Sequence, residues 1–112
     1  MRSAQTFHLV LTTCSGLSSA QSLSIRLVEQ KLCSCVNILP RIQSVYSWNG
    51  EITQSQECLL LCKTHVDQLD ALEACILEHH EYDVPEILSI ELSKATPHYL
   101  EWLNQTSKAT RS

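Results

Sequence analysis

The dipeptide Asn49-Gly50 constrains this chain more than any other feature. Both residues tolerate positive φ, which the type I′ turn of a two-residue β-hairpin requires. On either side lie long runs of strand character, 35–48 and 51–64. Pairing outward from the turn sets Trp48 opposite Glu51, Tyr46 opposite Thr53 and Ile42 opposite Glu57. The outer half of the returning strand, Thr53-Gln54-Ser55-Gln56, is polar on both faces. The inner half, Cys58-Leu59-Leu60-Leu61-Cys62, is apolar on both. The base of the hairpin is therefore expected inside a sheet, and its tip beyond the core of the chain. Pro40 has no N–H for a ladder, so the first of the two strands should bend, bulge or run along an edge there.

The flanking segments supply the rest of a fold. Residues 6–13 are rich in apolar and β-branched side chains and read as a strand. Ser18 with Gln21 fits a capping box, followed by Ala20, Leu23, Leu27 and Val28 at helical spacing. Thr64 can cap a second helix over 66–79, with Leu69, Leu72 and Ile76 inward. Residues 86–92 read as a further strand. Thr96-Pro97 then opens a short helix, with proline at its first position. The polar tail from Asn104 is expected to fray. The order β-α-β-β-α-β with a terminal helix is the split-βαβ, ferredoxin-like pattern of the α+β class. With both helices on one face of an antiparallel sheet, the other face is left bare. Neighbouring copies of the chain are the natural cover.

Length and composition fit this picture. The 112 residues make one domain, read as 1–112 with an ordered core of about 5–104. The 44% apolar content supports one core, and a chain this small leaves much apolar surface to be buried by association. A net charge of −4 with scattered Lys and Arg argues against a nucleic-acid partner. No window approaches a membrane span, and the apolar run Phe7–Cys14, interrupted by His8, is too short for a secretory leader. Six cysteines without a CxxC pair, most of them among Leu, Val and Ile, read as buried free thiols in a reducing, cytoplasmic compartment. Two glycines leave no phosphate loop and no nucleophile elbow, so the chain does not read as an enzyme.

Five blocks of sequence carry a family resemblance. They are Cys35-Val36-Asn37-Ile38-Leu39-Pro40, Ser44-Val45-Tyr46-Ser47-Trp48-Asn49-Gly50-Glu51, Glu57 with Leu59-Leu60-Leu61-Cys62-Lys63-Thr64, His79-His80-Glu81-Tyr82-Asp83-Val84-Pro85-Glu86-Ile87, and Tyr99-Leu100-Glu101-Trp102-Leu103. Their order and spacing resemble the CutA family of divalent-cation tolerance proteins. The resemblance implies a homotrimer with its sheets packed about a three-fold axis. It also implies an association with copper or other divalent metals, and no organic cofactor. Two departures stand out. Ala95 occupies a position near the last helix where the family usually has glycine, and Thr12 stands about where some members have a copper-implicated cysteine.

Two groups of candidate site residues follow. Cys35, His79, His80 and Glu86 are the soft and borderline donors that could hold a metal ion. Cys33 and Cys35 straddle a helix-to-strand junction and could converge on Cu(I), or simply pack. Tyr46, Trp48, Glu57, Lys63 and Glu86 form the second group. Tyr46 and Trp48 share one strand face on a polar outer hairpin, so they call for a neighbour. In CutA-like trimers the matching positions border a cleft between subunits, where Lys63 would anchor a small anion. The alternative function is thus a PII-like trimeric ligand sensor or a scaffold. The tight Asn-Gly turn, in place of a long loop, favours CutA over PII.

Overall fold

The computed structural model describes residues 1–107. Its elements run β1 (Arg2–Ser3), β2 (Phe7–Cys14), α1 (Leu17–Glu29), β3 (Cys35–Trp48), β4 (Glu51–His65), a 3-10 turn (Val66–Gln68), α2 (Leu69–His79), β5 (Ile87–Glu91), β6 (Lys94–Ala95) and α3 (Pro97–Thr106). The main sheet has the order β3-β4-β2-β5 with every pair antiparallel. This is the expected ferredoxin-like α+β arrangement. A two-stranded ladder of β1 with β6, which the sequence reading missed, lies beside it. It pairs Ala95, just before the last helix, with Arg2.

Side-chain alternation explains where the core sits. Along β2 and β4 the even-numbered residues Val10, Cys14, Cys58, Leu60 and Cys62 point to one face and are buried. There they meet Ala20, Leu23 and Leu27 of α1 and Leu72, Cys75 and Ile76 of α2. A second cluster joins Ala4 and Phe7 to Leu100 and Leu103 of α3. The odd-numbered face carries Leu9, Leu11, Leu59 and Leu61, all only half-buried. Leu39, Leu88 and Ile90 extend it, each about half exposed. No element among the described residues covers this apolar face.

The hairpin forms as read. Asn49 and Gly50 both take positive φ, 51° and 80°. Trp48 pairs with Glu51, Tyr46 with Thr53 and Ile42 with Glu57. The register slips between Leu39 and Ile42, so Pro40 does mark a bulge. The hairpin stretches the molecule to 47 Å along its longest axis.

Three local expectations need correction. The box at Ser18 does not form: α1 starts at Leu17 with Gly16 as its cap residue and no side-chain cap bond. Ser24 rather than Val28 completes the buried stripe, because a helix face advances by three or four residues and Leu27 already fills the last turn. Thr64 does not cap the second helix. It remains in β4, buried, with its hydroxyl donating to the Leu32 carbonyl at 2.6 Å. His65 caps the 3-10 turn before α2, its Nδ1 accepting from the Asp67 N–H, and α2 itself begins after Gln68 with no side-chain cap bond. At the other end, Asn104 and the two residues after it are helical. The tail beyond Ser107, also expected to fray, lies outside the described residues.

Arg41, within the bulge, sits at φ 58°, in the left-handed region. A side chain there costs roughly 1 kcal/mol relative to glycine. Arg41→Gly should therefore raise the stability of the fold by roughly 0.5–1 kcal/mol, read as a higher urea midpoint at constant slope. A lower midpoint would show that the guanidinium makes a compensating contact.

Candidate functional site

The densest polar network lies at one end of the sheet, where β2 runs out. The Leu92 N–H donates to the Phe7 carbonyl, so odd residues of β2 turn their backbone groups toward β5. β5 begins at Ile87, opposite Thr12. The Thr13 carbonyl and the Ser15 N–H thus lie past the end of that ladder and need other partners. The segment after α2 supplies them. His80 Nε2 lies 2.6 Å from the Thr13 carbonyl oxygen. Glu81 Oε1 accepts from the Ser15 N–H at 2.9 Å and from the Ser19 hydroxyl at 3.0 Å. The carboxylate therefore gives the start of α1 the anionic partner that its own sequence lacks.

The ring of His80 is fully committed. The Tyr82 N–H donates to His80 Nδ1 at 3.0 Å. Nδ1 is then the acceptor, and Nε2 carries the proton given to Thr13. Tyr82 is turned so that its hydroxyl donates to Glu57 Oε2 at 2.8 Å. Glu57 is a carboxylate on the odd, apolar face, only 9% exposed. The segment 80–82 thus passes from the helix layer around the end of the sheet to its open face. Burial, and then the Glu57 carboxylate, push the Tyr82 phenol well above its usual range. Hydrogen bonds from Ser15 and Ser19 hold Glu81 below the ordinary carboxylate value of 4.5.

A second polar group sits at the opposite end of the same face. Cys35, Lys63 and Leu9 share one row of the ladder. The Lys63 ammonium donates to Asn37 Oδ1 and lies 3.7 Å from Cys35 Sγ. Neither partner is a carboxylate.

The expected metal set does not converge within one protomer. Cys35 is in the row of Leu9, while His80 binds at Thr13, about 13 Å further along β2. His80 has no free ring nitrogen, and exposed His79 and Glu86 lie on either side of the segment. Among the described residues no group of three or more His, Cys, Asp or Glu side chains is placed to hold an ion. The second set is also spread out. Trp48 is at the tip of the hairpin and Lys63 near its base, with Tyr46 and Glu57 between them. Along β4 the row of Trp48 lies roughly 40 Å from that of Lys63. Glu57 is held by Tyr82 and Lys63 by Asn37, so the two charged groups of the hairpin base have separate partners. The parts played by Thr13, Ser15 and Ser19 were not readable from sequence. The one available hint was a carboxylate at position 57 on the strand face that carries Leu59 and Leu61.

Comparison with known proteins decides the lineage. Residues 8–106 match the family described as "CutA1 divalent ion tolerance protein". The chain belongs to the CutA1 family. The divalent-cation tolerance protein CutA of Thermus thermophilus is 36% identical over 100 residues, covering 89% of this chain and 97% of that one. The chloroplastic CutA of Arabidopsis thaliana is also 36% identical over 89% of the chain, which spans only 55% of that longer relative. The solved structure of CutA from Synechococcus elongatus PCC7942 superposes with a TM-score of 0.90 at 38% identity, covering 93% of this chain and 92% of the other. Its CutA1 membership agrees with the five sequence blocks and gives the PII-like reading no support. The family name describes tolerance of an ion, not catalysis. No helix among the described residues is long and apolar enough to cross a membrane.

The depressed Glu81 carboxyl gives a signed pH effect. Its contribution to stability is fully present above about pH 4.5 and is lost as the pH falls through its lower folded value. Glu81→Gln should flatten the acid limb of the stability curve below pH 4.5 and leave its slope near neutrality unchanged. Tyr82→Phe should cost about 1–3 kcal/mol, because buried Glu57 then loses its donor. An unchanged denaturation midpoint would remove Tyr82 from the network.

Proposed function

We propose that this chain assembles as a homotrimer which binds divalent cations, copper among them, in metal tolerance, in a reducing cytoplasmic compartment and without catalysing a reaction. The observation that carries the reading is the uncovered apolar face of the sheet, with Leu9, Leu11, Leu59 and Leu61 at its centre. Exposed apolar patches of this kind mark association surfaces. The projecting hairpin adds Trp48, 65% exposed, beyond the chain's own core. Six free cysteines, five of them buried, suit a reducing compartment. CutA1 relatives bearing the name of divalent-cation tolerance support the metal half of the reading.

Metal binding on this reading belongs to the assembly rather than to one protomer. Cys35, His79 and Glu86 keep donors at the surface, whereas His80 does not. The candidate cleft between protomers, with Tyr46, Trp48, Glu57, Lys63 and Glu86, favours a small anion as a second ligand. The Lys63 ammonium, without a carboxylate partner among the described residues, supports that role.

Light scattering across a wide dilution range should return three chain masses throughout; a stable single-chain mass would sink the architecture. Trp48→Ala should weaken assembly more than Trp102→Ala. Trp102 is 40% exposed and stacks on Tyr99 of its own helix, with ring centroids 5.6 Å apart. Truncating a buried aromatic costs about 3–5 kcal/mol, felt at each of three symmetry-related contacts. Trimer dissociation in denaturant separates the two variants. Calorimetric titration of the trimer with copper, zinc and a panel of small anions tests the ligands, and silence toward every metal would overturn that half of the reading.

A further inference from the structure

Cys14 is the last residue of β2, and the register of the sheet sets it directly opposite Cys58 of β4. Both thiols are buried on the helix side of the sheet, in the same cluster, and both are free. Directly opposed residues of an antiparallel pair have Cα atoms about 4.5–5.5 Å apart. A disulfide spans Cα separations of roughly 4.4–6.8 Å. The chain therefore brings two cysteines far apart in sequence to bridging distance. Cys14 also ends its strand, so its backbone is freer to adjust than a residue in the middle of a ladder. Cys33 and Cys62 are also in contact, but neither lies at the end of a strand.

The segment 80–82 is bonded to the neighbours of both cysteines, Tyr82 to Glu57 beside Cys58 and the other two residues to those beside Cys14. Its bonds fall on the two residues that flank Cys14: His80 on the Thr13 carbonyl and Glu81 on the Ser15 N–H. While the segment is seated, burial, followed by the charge of Glu81, pushes the Cys14 thiol up to about 11, so it stays protonated and unreactive. Lifting the segment frees the backbone on both sides of Cys14 and removes the nearby charge together.

We propose that Cys14 and Cys58 form an oxidative modification site, a dithiol that low-molecular-weight disulfides convert to an intrachain bridge, with Glu81 holding the gate. The exchange balances. The Cys14 thiolate attacks one sulfur of the small disulfide, the S–S bond breaks, and the first small thiol leaves carrying the proton that Cys14 gave up. Cys58 then attacks Cys14 Sγ in the mixed disulfide and expels the second small thiol, which takes the Cys58 proton. One small disulfide is reduced to two thiols as two protein thiols are oxidised to one bridge. The site stands apart from the divalent-cation reading, so either can fail alone.

The test starts from the full chain, fully reduced and kept under inert gas, then treated with oxidised glutathione. Mass spectrometry of the unreduced digest should find the peptide of Cys14 joined to that of Cys58, with the other four of the six cysteines still free. The bridged protein should melt roughly 5–15 °C higher than the reduced one. Cys58→Ser should trap glutathione on Cys14, and Cys14→Ser should leave Cys58 unmodified. Glu81→Ala should speed bridging several-fold. If that variant does not fold, Glu81→Gln takes its place. Leu103→Ala, destabilised in the other apolar cluster, should not speed bridging. Absence of the Cys14–Cys58 peptide, or linkage of other cysteines in its place, would overturn the site. Equal acceleration by Leu103→Ala would overturn the gate, since bridging would then follow global unfolding.

Discussion

Strand β4 is the constraint on which the rest of the molecule depends. Its fifteen residues pair with β2 from Cys58 to His65 and with β3 from Glu51 to Lys63, across the bulge. A single continuous strand therefore fixes the core and the hairpin tip in one register. A slip of one residue would exchange its faces, sending Cys58, Leu60, Cys62 and Thr64 to the open side and Glu57, Leu59, Leu61 and Lys63 among the helices. Burying Glu57 and Lys63 in an apolar core is prohibitively costly, so two ionisable residues enforce the register that the leucines on both faces leave ambiguous.

Most of the fold was legible because it rests on short-range signals. Asn49-Gly50 dictates its own turn, and from the turn the pairing of Trp48, Tyr46 and Ile42 follows by counting. Pro40 announces a bulge because it lacks an N–H. The errors fall where distant partners overrule local chemistry. Ser18 looks like a cap, but the start of α1 is served by Glu81, 66 positions from the residue whose N–H it accepts. Thr64 looks like a cap too, but the carbonyl of Leu32 claims its hydroxyl inside the core. The β1–β6 ladder joins two-residue segments from opposite ends of the chain, too short for any periodicity to appear.

The candidate site was less legible for a related reason. Histidine, cysteine and glutamate were recognisable as donors, but which atoms remain free depends on neighbours that spacing does not reveal. His80 illustrates this. As a letter in a sequence it is a metal ligand; in the fold one nitrogen is spent on the Thr13 carbonyl, left over where β5 ends, and the other on the N–H of Tyr82. Conversely, Lys63 and Glu57 were singled out together, although β4 holds them about 20 Å apart. The apolar face between them is what the sequence does reveal, through leucines that occupy both sides of one strand.

The bond between Glu81 and the start of α1 has a bearing on how the molecule breathes. Helices usually fray from their own ends, independently of one another. Here the first turn of α1 is held by a side chain two residues beyond the end of α2. Neither terminus can loosen without releasing the other. The two helices therefore behave as one cooperative unit, and the amides at the start of α1 exchange with solvent in the same opening event as those in the turn that follows α2.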